Sequence, residues 1–275
     1  MTGYATLRHG GKTTICRSDD GTLRDLWPAG SAPGLVDCLG DLDALSTRAG
    51  STIAEPDEWL PPVAGARYFC MGHNYLGHIH ETGAKIPEHP VVFLRLPESF
   101  VGHRASIEAP SVSDRFDYEG ELAVVLGSGG RDVPEEEAME LVAGYCCASE
   151  NSVRDWQFYS PTAFAGKNFH RSGSIGPWIT PASEISDPHD LRLRTFLNGE
   201  LVQDGSTGDM LFRIPAVISY LSKIMPLRAG DTILTGTPSG VGMRRDPPLW
   251  LRPGDRLTVE IEDLGRLENQ VSARS

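Results

Sequence analysis

No apolar run in these 275 residues approaches the ~18 needed to cross a bilayer, and the opening "MTGYATLRHG" lacks the apolar stretch of a secretory signal. The five cysteines (Cys16, Cys38, Cys70, Cys146 and Cys147) are odd in number and contain no C-x-x-C pair, so they make no disulfide framework or paired-thiol motif. These absences predict a protein of a reducing compartment, the cytoplasm. Positive charge is also short: 25 Lys and Arg against 37 Asp and Glu leave a net charge of −12. Phosphate backbones and anionic membrane surfaces both need a basic face, so neither is an expected partner. A small anionic substrate stays open, because a bound cation and a few basic residues can dominate one site locally. Internal repeats are absent. "GTPSG" (236–240) lacks the G-x-S-x-G spacing of a nucleophile elbow, "GSGG" (127–130) lacks the third glycine of a dinucleotide site, and His73, His78 and His80 do not make H-E-x-x-H.

What is present is 40% hydrophobic residues with 30 Gly and 20 Pro, a sizeable core cut by many turns. Residues 1–60 are Gly- and Asp-rich with short apolar pieces, and "PPVAG" at 61–65 reads as a hinge. The expectation is a small N-terminal unit over 1–64 and a main unit over 65–275. In the main unit "RYFCMG" (67–72), "VVFLRL" (91–96) and the alternating "LTVEIEDL" (257–264) predict strands. "DVPEEEAMELV" (132–142), "IPAVISYLSKI" (214–224) and the short "NYLGHIHE" (74–81) predict helices. The fold class is therefore α+β, rich in strands, without regular βαβ alternation.

"FDYEGELAVVLG" (116–127) begins with acids and ends in core. Strand alternation points Asp117, Glu119 and Glu121 together, neighbours about 6–7 Å apart. Like charges that close are destabilising unless something offsets them, and carboxylate oxygens suit a hard ion such as Mg²⁺, Mn²⁺ or Ca²⁺. A solvent-facing strand is the plainer alternative, but "LAVVLG" implies that both faces become covered at once. Glu150, in "CCASENSVRDWQ", follows a second apolar stretch and needs an arginine or a metal as partner. His78 and Glu81, at i and i+3, share one helical face, where a carboxylate can hold an imidazole tautomer; His80 faces elsewhere.

"NYLGHIHE", "DYEGELAVV", "ENSVRDWQ", "GKNFHRSGSIGPW", "TGTPSGVG" and "PPLWLRPGD" occur in that order. Together they resemble the fumarylacetoacetate hydrolase family, in its acylpyruvate-hydrolase-like branch. The resemblance implies a mixed β-sandwich roll and a homodimer. It implies Glu119 and Glu121 as metal ligands, with Glu150 as a third where the family has aspartate. His78 and Glu81 match its water-activating dyad on a mobile lid. Lys167 matches a catalytic lysine near the metal, and Arg154, Gln157 and Thr237 match substrate-side positions. The implied activity is Mg²⁺- or Mn²⁺-dependent hydrolysis of a C–C bond in a small anionic 2-oxo or β-diketo acid, through a metal-bound enolate. Decarboxylation or isomerisation of 2-oxo or 2-hydroxy-dienedioates, and an inert metal-binding protein, are the alternatives.

Overall fold

The computed structural model describes residues 2–27 and 30–274; Met1, Pro28, Ala29 and Ser275, which the two expected units include, lie outside the described residues. The first strands are β1 (Thr2–His9), β2 (Lys12–Asp19), β3 (Thr22–Asp25), β4 (Ser51–Ile53) and β5 (Glu58–Trp59). Then come β6 (Tyr68–Gly72), helix α1 (Leu76–Thr82), β7 (Val91–Arg95), β8 (Phe100–Val101), β9 (Ile107–Ala109), β10 (Phe116–Asp117) and β11 (Gly120–Leu126). β12 (Val142–Ser149), β13 (Ser152–Val153), α2 (Arg154–Gln157), α3 (Phe164–Lys167) and β14 (Gly173–Pro181) follow. The chain ends with β15 (Arg192–Leu197), β16 (Glu200–Ser206), α4 (Ile214–Ile224), β17 (Thr232–Leu234), β18 (Arg256–Ile261) and β19 (Gly265–Ala273). The strand-rich α+β class expected from the sequence is what the chain forms.

One large sheet runs β4-β3-β2-β1-β14-β12-β11-β17-β6-β7, and a second runs β16-β15-β18-β19-β9. The N-terminal strands join the large sheet at one register point, Tyr4 opposite Ile179. β11 lies inside the sheet, paired with β12 and β17. Its residues alternate between two cores. Leu122, Val124 and Leu126 pack with Leu193, Val259 and Ile261 of the second sheet, while Ala123 and Val125 pack with Tyr4, Ile15 and Leu39. "LAVVL" is apolar throughout because both of its faces are covered.

Gly120 explains the break between the two glutamates. A Cβ there would lie 2.1 Å from Thr195 Oγ1, so the second sheet packs on bare backbone at the start of β11. Glu121 takes the opposite face, shared with Ala123 and Val125.

α4 is the amphipathic helix that the spacing predicts. Pro215 sits in its first turn, and Ile214, Val217, Ile218 and Leu221 enter the core, each contributing about 1.5–3 kcal/mol by burial. The 132–142 segment instead forms a 3₁₀ element, Glu135–Leu141, which gives way at Val142 directly to β12. Among the described residues no helix is long and apolar enough to cross a membrane.

Candidate active site

β11 and β12 deliver the acids to one place. Gly120 pairs with Ser149, and the Glu150 N–H donates to the Glu119 carbonyl at 2.8 Å, so the two chain segments stay side by side as they leave the sheet. The carboxylates of Glu119, Glu121 and Glu150 are buried, with one oxygen from each lying within 4.8 Å of the others. Lys167, at the end of α3, is buried with them and donates to both Glu119 Oε2 and Glu150 Oε2. Its ammonium also lies 5.2 Å from the centre of the Phe93 ring.

Asp117 does not join this group. The chain leaves the strand at Tyr118, so alternation is broken and the Asp117 carboxylate turns to other partners. Oδ1 accepts from the N–H groups of Tyr118 (2.9 Å) and Gly242 (2.7 Å), and Oδ2 from Met243 N–H (3.1 Å) and Arg154 Nε (2.8 Å). Asp117 therefore anchors a turn and an arginine. Arg154 reaches onward to Glu119 Oε1 at 2.6 Å and donates to Gln157 Oε1 at 3.0 Å.

Glu150 receives both kinds of partner that its burial allows. Arg95, fully buried at the end of β7, donates to its Oε1 at 2.8 Å, and Lys167 donates to Oε2. Nothing in the sequence reading singled out Arg95; its signal was a charge closing the apolar run "VVFLR".

In and behind the pocket, four carboxylates (Asp117, Glu119, Glu121, Glu150) and three cations (Arg95, Arg154, Lys167) are buried, with Asp117 and Arg95 outside its lining. Burial works against the Glu119 carboxylate, but Arg154 and Lys167 outweigh it and hold Glu119 well below the ordinary range. Glu121 is the reverse case. Its Oε2 accepts the Gly236 N–H at 2.8 Å, and burial, then the charges of Glu150 and Glu119, push it well above the ordinary range. Among the described residues, Glu121 makes no ion pair. A hard cation would supply the missing charge, and an all-carboxylate donor set suits one. The residues present fit a divalent ion.

α1 carries the expected dyad opposite this cluster. His78 is 8% exposed, and its Nδ1 lies 3.2 Å from Glu81 Oε2. Glu81 Oε1 accepts the Gly240 N–H at 2.8 Å, which ties α1 to the 236–240 turn. With Nδ1 facing a carboxylate, Nε2 is the nitrogen left to act as a base. His73 stacks on His78 at 6.0 Å. It is held in a left-handed conformation, and burial followed by the neighbouring His78 lowers its pKa. His80 is exposed, as its spacing implied. Thr237 lines the pocket with its hydroxyl already engaged, donating to Gly120 O at 2.8 Å and accepting from Gln203 Nε2 at 2.8 Å.

These groups line one cavity of about 270 Å³, which His73, His78, Gln157, Lys167, Thr237 and Arg244 share with the three glutamates. Arg244 is exposed at its edge and donates to the Thr82 carbonyl at the end of α1, at 2.7 Å.

Residues 67–272 match the model of the fumarylacetoacetate (FAA) hydrolase C-terminal family. The chain belongs to the fumarylacetoacetate hydrolase family. It is 42% identical over 213 residues to oxaloacetate tautomerase YisK of Bacillus subtilis, covering 76% of this chain and 71% of that protein. Among solved structures, the fumarylacetoacetate hydrolase of Exiguobacterium antarcticum superposes with a TM-score of 0.88 at 34% identity, over 100% of both chains. Fumarylpyruvate hydrolase of Pseudomonas aeruginosa, in complex with Mn²⁺ and pyruvate, gives 0.70 at 31% identity, over 81% of this chain and 94% of its own. Relatives within the fumarylacetoacetate hydrolase family thus carry out both isomerisation and hydrolysis.

Proposed function

We propose that this pocket moves a proton at the carbon beside the oxo group of a small 2-oxo acid, interconverting its keto and enol forms. The observation that carries the reading is a shared cavity: a carboxylate-oriented histidine lines it together with three buried glutamates and a buried lysine. Mg²⁺ or Mn²⁺ held by Glu119, Glu121 and Glu150 would supply Lewis-acid polarisation of the oxo group and neutralise negative charge on its oxygen. His78 takes the proton at Nε2, and Glu81 holds the ring and stabilises the imidazolium. Lys167 adds fixed positive charge beside Glu119 and Glu150, where the substrate oxygens become more negative. His78 then returns the proton to carbon or to oxygen, which completes the exchange. The division into a small unit at 1–64 and a catalytic unit at 65–275 belongs to this reading, and every residue lining the cavity supports it by lying in the second.

The B. subtilis relative favours tautomerisation over the cleavage that the sequence resemblance first suggested. Cleavage is the second reading, favoured by the P. aeruginosa structure with its bound pyruvate. In that case His78 takes a proton from water attacking the distal carbonyl of an acylpyruvate. An assay with Mg²⁺ or Mn²⁺ separates the two. Loss of enol absorbance from oxaloacetate with no change in total 2-oxo acid supports tautomerisation. Pyruvate released from acylpyruvates, with enol loss no faster than the uncatalysed rate, moves the conclusion to hydrolysis. Activity on neither substrate class overturns both.

A further inference from the structure

We infer that Arg95 is a positioning residue that fits Glu150 to serve as a one-oxygen ligand, and that it thereby biases the site toward Mg²⁺ and Mn²⁺ over Ca²⁺. The inference rests on the reading of Glu119, Glu121 and Glu150 as a cation site.

Every donor of the Arg95 guanidinium is used. Nε donates to Ser99 Oγ at 3.1 Å. Nη1 donates to Glu150 Oε1 at 2.8 Å and to the Asn151 carbonyl at 3.3 Å. Nη2 donates to Ser172 Oγ at 2.7 Å and to the Ser99 carbonyl at 3.4 Å. The group lies 4.4 Å over the Phe100 ring, and its side chain has no exposed surface. Gly173 leaves it room, since a Cβ there would sit 3.1 Å from Nη1. Four of the five acceptors are neutral and fix the guanidinium in place; the fifth is the carboxylate. A rigid five-donor fork of this kind sets the orientation of what it holds.

The consequence lies in which oxygen remains. Oε1 is turned to Arg95, so Oε2, the oxygen beside Lys167, is the one Glu150 presents to the cluster. Ca²⁺ takes 6–8 oxygen ligands and draws on bidentate carboxylates, whereas Mg²⁺ demands six at short distance and accepts single oxygens. Blocking one oxygen of Glu150 thus disfavours the larger ion. Groups that orient a ligand from behind typically change metal affinity 10–100-fold when removed.

The test is equilibrium binding of Mn²⁺, read from the spectroscopic signal of the free ion, and of Ca²⁺ by competition. It compares the wild-type protein with Arg95→Gln and Arg95→Lys. The expected result is about a tenfold loss of Mn²⁺ affinity in Arg95→Gln with a smaller change for Ca²⁺, so that the Mn²⁺/Ca²⁺ ratio falls; Arg95→Lys recovers little of it. A purely structural arginine would lower thermal stability and leave that ratio unchanged, which would overturn the inference. Should Arg95→Gln fail to fold, Ser172→Ala removes one neutral anchor of the fork, and the ratio must fall there too; an unmoved ratio overturns the inference. If the wild-type protein binds no Mn²⁺, the cation reading fails as well. If it binds Mn²⁺ and the ratio never moves, only the role of Arg95 is lost.

Discussion

The glutamate-lined pocket and the seam where the first strands meet the C-terminal hairpin bury polar groups by opposite means. In the pocket charge answers charge: Arg154 lies between Asp117 and Glu119, Lys167 between Glu119 and Glu150, and Arg95 behind Glu150. In the seam, a buried histidine packs against a tryptophan and its pKa is pushed down. Trp59 meets His103 edge-on at 4.9 Å and Trp178 at 6.4 Å, and neither indole N–H has a hydrogen-bond partner among the described residues. Burial, followed by the neighbouring Arg104, lowers the His103 pKa to about 4. The seam keeps its buried ring uncharged although Arg104 and Glu268 lie near it. The pocket stores an imbalance at Glu121, which an added cation would relieve.

The strongest way to break this contrast is Glu121→Gln. Metal-dependent turnover is expected to vanish, while the melting temperature without metal holds or rises, because a neutral amide replaces an anion crowded by Glu119 and Glu150. Retained turnover would remove Glu121 from the chemistry; a sharp fall in melting temperature would show that its charge was already compensated. His78→Ala comes next. It should lower kcat by about 10²–10⁴-fold with Mn²⁺ affinity unchanged, and an unaltered rate would move the base to another group such as His73. Asp117→Asn tests the compensated side. Asp117 answers Arg154 and two backbone N–H groups of the 242–243 turn, so breaking that set should cost about 3–5 kcal/mol in denaturant titrations. A loss as small as at Glu121 would erase the distinction between the two acids.

Much of the site was legible because its residues lie next to their structural causes. Glu119 and Glu121 precede an apolar strand, Glu150 follows another, and His78 and Glu81 share a helical turn. What was not legible depends on contacts across the chain. Asp117 shares the period-two spacing of the glutamates, yet the strand breaks at Tyr118, whose hydroxyl donates to Gly240 O at 3.1 Å. Arg95 meets Glu150 across 55 residues, and no local pattern encodes that pairing. Thr237 lines the pocket as its substrate-side match implies, but that its hydroxyl proton goes to Gly120, 117 residues earlier, could not be read locally. Period and composition locate the elements; the partner of a buried polar group is set by which elements the sheet order makes adjacent.

The seam supplies the smallest effect and the one confined to acid. His103 Nδ1 accepts the Glu268 N–H at 3.1 Å, a bond that requires the unprotonated nitrogen. Arg104 opposes a proton there and Glu268 favours one, with burial the largest influence. The folded pKa of about 4 lies below the ordinary 6.5, so the unfolded chain takes up a proton first as pH falls. The stability that neutral His103 contributes is fully present above pH ~6.5 and drains away as pH falls toward 4, by about 3 kcal/mol at the bottom of that window. His103→Gln has no such proton to bind. Its unfolding free energy should decline less than that of the wild type between pH 6.5 and 4 and run parallel to it above pH 7. Parallel curves across the whole range would mean that His103 titrates as it does in water, and the seam would then tolerate charge much as the pocket does.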